Sequence, residues 1–273
     1  MRFCVLASGS SGNATLVEAN GTRILLDAGL GVRELSERVE LAGVEPGSIA
    51  AVFVSHEHDD HAGGAAGFSR KWGVRLCGTR GTFEAGGFRL APIAGYDLIA
   101  PGVPRVVGGL TVEAVPVPHD AAQPVAFVLS DGETALGHAT DFGYMTRLLA
   151  ETFRDCDAVL VESNYDAAML RDGAYPWMVK ERIFGPRGHL SNDDVANYLF
   201  RGLGQTCRTV VLAHISRANN HPEVARMAAE LSLQRRGRTE VRLEVSGPEG
   251  TGWIDVQPGL PRPAPPPKQL RLW

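Results

Sequence analysis

Ser55-His56-Glu57-His58-Asp59-Asp60-His61 stands directly after the apolar run Ala51–Val54 and directly before Ala62-Gly63-Gly64. Such a run, bounded by turn residues, reads as a strand whose end delivers the histidines. In extended backbone, residues two apart share a face, so His56 and His58 can converge on one ion. Beyond the turn, Asp60 and His61 can swing toward a second ion beside it. Imidazole and carboxylate together suit Zn, Mn or Fe, and two ions about 3.5–4 Å apart can clamp both oxygens of a displacement at phosphorus.

Two ions need more ligands, and the remaining strands offer candidates. Apolar, β-branched runs recur at Phe3–Ala7, Ala14–Glu18, Arg23–Asp27, Leu110–Val117, Val125–Ser130, Ala135–Thr140, Ala158–Glu162, Thr209–Ala213 and Val241–Val245. His119, Asp141 and His214 each follow one of these runs, where a strand end can aim them at a common site. Three-to-four-residue apolar spacing predicts helices over Val32–Ala42, Tyr144–Phe153, Asp193–Leu203 and Glu223–Gln234. Hairpins come first and strand–helix alternation dominates later, the pattern of a layered α/β sandwich. His138 alternates away from Asp141 and reads as structural; His221, before Pro222, reads as a surface or capping residue.

The chain has 273 residues with 44% in the apolar set, enough for one large domain with its own core. Cys4, Cys77, Cys156 and Cys207 lie far apart without CxxC spacing, which points to buried thiols in a reducing, cytoplasmic setting. No apolar run is long enough to span a bilayer, and no secretory signal pattern opens the chain. The net charge of −4 gives no bulk argument for nucleic acid, which leaves a local basic groove as the requirement. Of 27 basic residues, only Lys71, Lys180 and Lys268 are lysines.

The motif HxHxDH, followed by a His, an Asp and a His at successive strand ends, resembles the metallo-β-lactamase superfamily. The resemblance implies an αββα sandwich with a two-metal site at one sheet edge. It implies that His56, His58 and His119 hold one divalent metal, that Asp60, His61 and His214 hold the other, and that Asp141 bridges them. Asp27, in Leu25-Leu26-Asp27-Ala28-Gly29, matches the family's early Asp that supports the site from behind the ligands.

His189 stands in Gly188-His189-Leu190-Ser191-Asn192-Asp193-Asp194, where Ser191 and Asp194 read as a helix N-cap pairing. A helix start presents free N–H groups to an anion, and the segment resembles the phosphate-binding element of nuclease branches of the superfamily. Six further segments resemble the YycJ-like (WalJ-like) bacterial exonucleases: 7–13, 118–121, 162–166, 175–177, 188–192 and 219–220. That resemblance implies a metal-dependent deoxyribonuclease, working 5′ to 3′ and linked to mismatch repair. His189, Ser191 and Asn164 would meet phosphate, and Asp60 would orient a hydroxide held between two Mn or Zn ions for in-line attack. Relatives often carry His where this chain has Tyr165.

From Gln257 the composition turns to proline, so residues 1–256 read as the catalytic domain and 257–273 as a semi-rigid spacer ending in a docking peptide. Gln269-Leu270-Arg271-Leu272-Trp273 resembles the peptide by which bacterial repair proteins dock on the sliding clamp. Leu270, Leu272 and Trp273 offer apolar anchors, and Gln269 offers an amide to fix register. The competing readings are a small-molecule (cyclic) phosphodiesterase or thioester hydrolase on the same fold, or an inactive scaffold recruited by its tail.

Overall fold

The computed structural model describes residues 1–88 and 92–259. The proline spacer beyond Gly259 and the docking peptide Gln269–Trp273 lie outside the described residues. Seven strands form the first sheet: β1 (Arg2–Ala7), β2 (Ala14–Ala19), β3 (Thr22–Leu26), β4 (Ala51–Phe53), β5 (Arg75–Gly78), β6 (Tyr96–Leu98) and β14 (Ile254–Asp255), in the order β14-β1-β2-β3-β4-β5-β6. The second contains β7 (Arg105–Val107), β8 (Leu110–Pro116), β9 (Val125–Ser130), β10 (Ala135–Ala139), β11 (Ala158–Glu162), β12 (Thr209–Ala213) and β13 (Arg242–Val245), in the order β13-β12-β11-β10-β9-β8-β7.

Side-chain alternation gives the central strands two buried faces, while the edge strands β6 and β7 are largely exposed. Val17, Ile24, Leu26, Leu160 and Val211 meet in one core between the sheets. Their neighbours Leu16 and Leu25 turn outward to α1 (Val32–Leu41) and, beyond a one-turn α2 (Asp59–Ala62), to α3 (Ala65–Trp72) and α4 (Arg80–Ala85). Val159, Val161, Val210 and Leu212 turn the other way. They face α5 (Arg147–Phe153), α8 (Asn192–Arg201) and α9 (Pro222–Arg235), with the short α6 (Ala167–Asp172) and α7 (Trp177–Phe184) preceding α8. The result is the expected αββα sandwich. Phe53 and Phe127 pin the sheets together edge to face, 5.9 Å between ring centres; emptying either position would cost about 3–5 kcal/mol.

Topology decides where chemistry can occur. Strands β3 to β6 and β10 to β13 are parallel within their sheets, so their C-terminal ends share an edge, the usual ligand-binding edge of parallel sheets. Local chemistry adjusts several expected boundaries. The helix expected from Tyr144 begins at Arg147, because Thr146 Oγ1 caps the Leu149 amide. Ser191 and His221 cap α8 and α9. The strand into the histidine motif stops at Phe53, one residue short of the expected Val54, and the Ser55 amide beyond it is taken by Asp27. Strands β5, β6, β7 and β14 and helices α3, α4, α6 and α7 were not foreseen; they are short, and several are amphipathic over only one turn. All four cysteines are buried and unbridged. Among the described residues, no helix is long and apolar enough to cross a membrane.

Candidate metal centre

Asp27 ends β3 beside the end of β4, and its carboxylate organises the motif. Its Oδ1 accepts from the Ser55 amide (2.7 Å), while Oδ2 accepts from Ser55 Oγ (2.9 Å) and His61 Nδ1 (2.8 Å). With the proton held on Nδ1, His61 turns Nε2 toward Asp60 and Asp141. His58 caps α2, and this single turn separates the motif's two functions: extended backbone presents His56 and His58, and the helical turn swings Asp60 and His61 to the other side. The turn is held from below by Asn13, whose amide donates to the Asp60 carbonyl at 2.8 Å. Gly29 is required here, since a Cβ would come within 1.8 Å of that carbonyl oxygen.

The far wall comes from the second sheet. His119, beyond β8, donates through Nδ1 to the Gly188 carbonyl (3.2 Å), which leaves Nε2 for the cleft. Asp141 follows β10 and His214 follows β12, with the His214 amide held by Ser8 Oγ at 2.7 Å. Donor atoms of His56, His58 and His119 lie within 4.8 Å of one another, as do those of Asp60, His61, Asp141 and His214. Asp141, expected to bridge both sets, stands with Asp60, His61 and His214 and again with Glu162, His189 and His214, and is not grouped with His56, His58 and His119.

Glu162 is the participant that sequence reasoning missed. It closes β11 fully buried, accepting from His189 Nδ1 (2.7 Å) and His214 Nδ1 (2.9 Å) through Oε1. Its Oε2 accepts from the Phe142 and Leu190 amides. A carboxylate ending an otherwise apolar strand, beside strands that end in Asp141 and His214, was the available signal. Of the residues expected to meet phosphate, His189 is 22% exposed. Ser191 instead caps α8 and bonds Asp194, and Asn164 donates to the His214 carbonyl, so both spend their polar atoms inside the protein. Tyr165 packs edge to face on Phe184, and burial raises its phenol to about 12.

Burial alone would strip protons from these rings, but the carboxylates reverse it for three of them. His214 is raised to about 9 by Asp141, Asp60 and Glu162; His61 and His189 also lie well above the ordinary imidazole range. Burial and neighbouring imidazoles hold His56 and His119 below it, so their rings are neutral with free lone pairs. Groups that attract protons this strongly attract divalent cations as well, and the two compete. Three buried atoms facing the clusters, His56 Nε2, Asp141 Oδ2 and His214 Nε2, find no hydrogen-bond partner among the described residues. Asp27, Asp141 and His214 also hold left-handed backbone, with φ of 60°, 57° and 53°. Orphaned donors and non-glycine left-handed backbone, which costs about 1–3 kcal/mol per residue, fit coordination by bound cations. A mixed imidazole–carboxylate set suits Zn, Mn or Fe.

Residues 22–215 match the model of a beta-lactamase superfamily domain. The chain belongs to the metallo-β-lactamase superfamily. Within this superfamily it is 32% identical over 230 residues to the exodeoxyribonuclease WalJ of Streptococcus pneumoniae, covering 83% of this chain and 86% of that protein. It is 31% identical over 239 residues to the exodeoxyribonuclease YycJ of Bacillus anthracis, covering 87% and 90%. The crystal structure of the metallo-β-lactamase fold protein YhfI from Bacillus subtilis superposes with a TM-score of 0.72 at 15% identity, over 93% of this chain and 98% of that one.

Proposed function

We propose that this metallo-β-lactamase superfamily protein is a metal-dependent exodeoxyribonuclease that degrades DNA from a 5′ end in mismatch repair. The observation that carries the reading is the pair of ligand groups meeting at one sheet edge, in a chain about one-third identical to named exodeoxyribonucleases over most of its length. His56, His58 and His119 would hold one divalent ion; Asp60, His61 and His214 the other; Asp141 both. Two Mn or Zn ions, when bound there, would supply Lewis acidity and activate water for attack at phosphorus at neutral pH. Asp60, 26% exposed at the cleft, orients that nucleophile. His189, held by Glu162 and partly open, donates to the phosphate or the leaving oxygen.

Net negative charge does not oppose a DNA substrate, because Asp27, Asp60, Asp141 and Glu162 lie at the candidate metal centre, where divalent ions would offset them, while Arg171, Arg182, Arg187 and Arg217 are exposed on segments that adjoin the site. Arg182 pairs with Asp120, the neighbour of His119. Four buried cysteines without a disulfide fit a cytoplasmic enzyme. The tail Gln269–Trp273 would recruit the enzyme to the bacterial sliding clamp; its deletion should abolish clamp binding and spare the nuclease, and unchanged binding refutes that role.

Digestion of 5′- and 3′-labelled single- and double-stranded DNA with Mn or Zn, beside cyclic nucleotide and thioester substrates, tests the activity. Stepwise loss of nucleotides from one end is expected, abolished in His58→Ala and Asp141→Ala. Turnover of a small substrate alone, or full DNA cleavage by both variants at matched metal loading, overturns the reading.

A further inference from the structure

A cavity of about 280 Å³ opens at the same sheet edge, between the segment that follows β12 and the segment that follows β13. Its wall begins at Ile215, the residue next to His214, and one chain step is only about 3.8 Å. The lining has a definite character. Ile215, Pro222, Val245 and Pro248 make it apolar, with two rigid proline rings, and the exposed Arg217 belongs to the same wall. Ser246 also lines it, 1% exposed, and its Oγ finds no hydrogen-bond partner among the described residues.

We propose that this cavity takes the nucleobase of a nucleotide flanking the scissile phosphate. The inference rests on the nuclease reading and deepens it. Apolar walls accept the flat face that every base possesses, and the Arg217 guanidinium meets the adjoining phosphate. A slot of this size next to a metal ligand admits one unstacked base at a time, so the substrate is a single-stranded or frayed end. The base is an anchor, and the metal centre acts on the phosphate beside it.

The test pairs a protein variant with a ligand change. Gly247 lines the cavity, and a Cβ there would meet no atom within 4 Å, so Gly247→Leu adds bulk without backbone collision. Binding of phosphorothioate single strands to the Mn-loaded protein is measured by fluorescence anisotropy, with an abasic site placed in turn at each of the terminal positions. In the wild type, one abasic position should weaken binding about tenfold. Gly247→Leu should bind the intact strand about tenfold more weakly and lose nothing further at that position. Pro248→Ala, which only trims the wall, should reduce the abasic penalty to about threefold and serves if Gly247→Leu does not fold. Equal abasic penalties in wild type and variants, or none in the wild type, overturn the proposal while the nuclease reading stands. Failure of the wild type to bind or cleave any DNA overturns both.

Discussion

Replacing Asp27 with Asn tests how the first sheet controls the metal centre. Asn tolerates the left-handed backbone at this position (φ 60°) almost as well as Asp, so the fold should survive. The hydrogen bonding cannot. One carboxylate now accepts from three donors, the Ser55 amide, Ser55 Oγ and His61 Nδ1. If the amide oxygen keeps the Ser55 amide, the new NH2 faces His61 Nδ1, and the proton must move to Nε2, the atom that faces Asp60 and Asp141. If the amide flips, a buried N–H is left opposite another donor. Either outcome costs about 1–3 kcal/mol, which is roughly 5- to 150-fold in affinity for a cation at Asp60, His61, Asp141 and His214. Calorimetric titration of metal-stripped protein with Zn or Mn should show that site weakened, and the site at His56, His58 and His119 changed by less than about threefold. Histidine nitrogen NMR should move the His61 proton from Nδ1 to Nε2. Unaltered affinity, or an equal loss at both sites, would refute the idea that Asp27 acts by fixing the His61 tautomer.

Three other perturbations follow from the same geometry. His138, buried between the sheets near Thr15, titrates at about 4 in the fold against 6.5 ordinarily. Because the unfolded chain takes up its proton first, His138 should erode stability as pH falls from 6.5 to 4, by up to about 3 kcal/mol. Urea unfolding in chelator should therefore give a flatter pH dependence for His138→Leu over that window, and parallel curves would count against it. Glu162→Gln removes the anionic acceptor shared by His189 and His214, and single-turnover DNA cleavage should slow by about 100-fold or more; an unchanged rate would strip Glu162 of a positioning role. Gly29→Ala drives a methyl into the Asp60 carbonyl and should cost at least about 3 kcal/mol in chemical denaturation, whereas a neutral change would mean that the loop bearing Asp60 yields freely.

Much of this site was legible because its ligands sit at strand ends, and strand ends are where apolar patterning stops. His119, Asp141 and His214 could be nominated that way, and alternation correctly removed His138 from the set. Ser191 and His221 were legible as caps because capping is local chemistry, settled within three residues. Glu162 escaped because its meaning is not local: its partners His189 and His214 lie 27 and 52 residues away, and an acid closing a strand usually meets water. The excursion carrying α6 and α7 escaped for a related reason. Residues 174–179 are all exposed, so no buried face imposes a period on them.

Backbone conformation was the least legible property of all. Patterning implies that Asp27, Asp141 and His214 simply leave their strands, yet each adopts a conformation in which glycine is ordinarily preferred. Outside these three, Asn20 alone among the described non-glycine residues has a positive φ. Glycine at those positions would relieve the backbone but supply no carboxylate or imidazole. At Asp141 and His214 strained backbone and a side-chain atom without a hydrogen bond, Oδ2 and Nε2, fall on the same residue. Each feature carries a cost, which acceptors on Asp27, Ser8 and Glu162 and the donor on Asn164 offset in part. Coordination by a cation would compensate both at once, because it would satisfy the converging atoms and the backbone that aims them. The fold invests its local instability at the one edge where a metal can repay it.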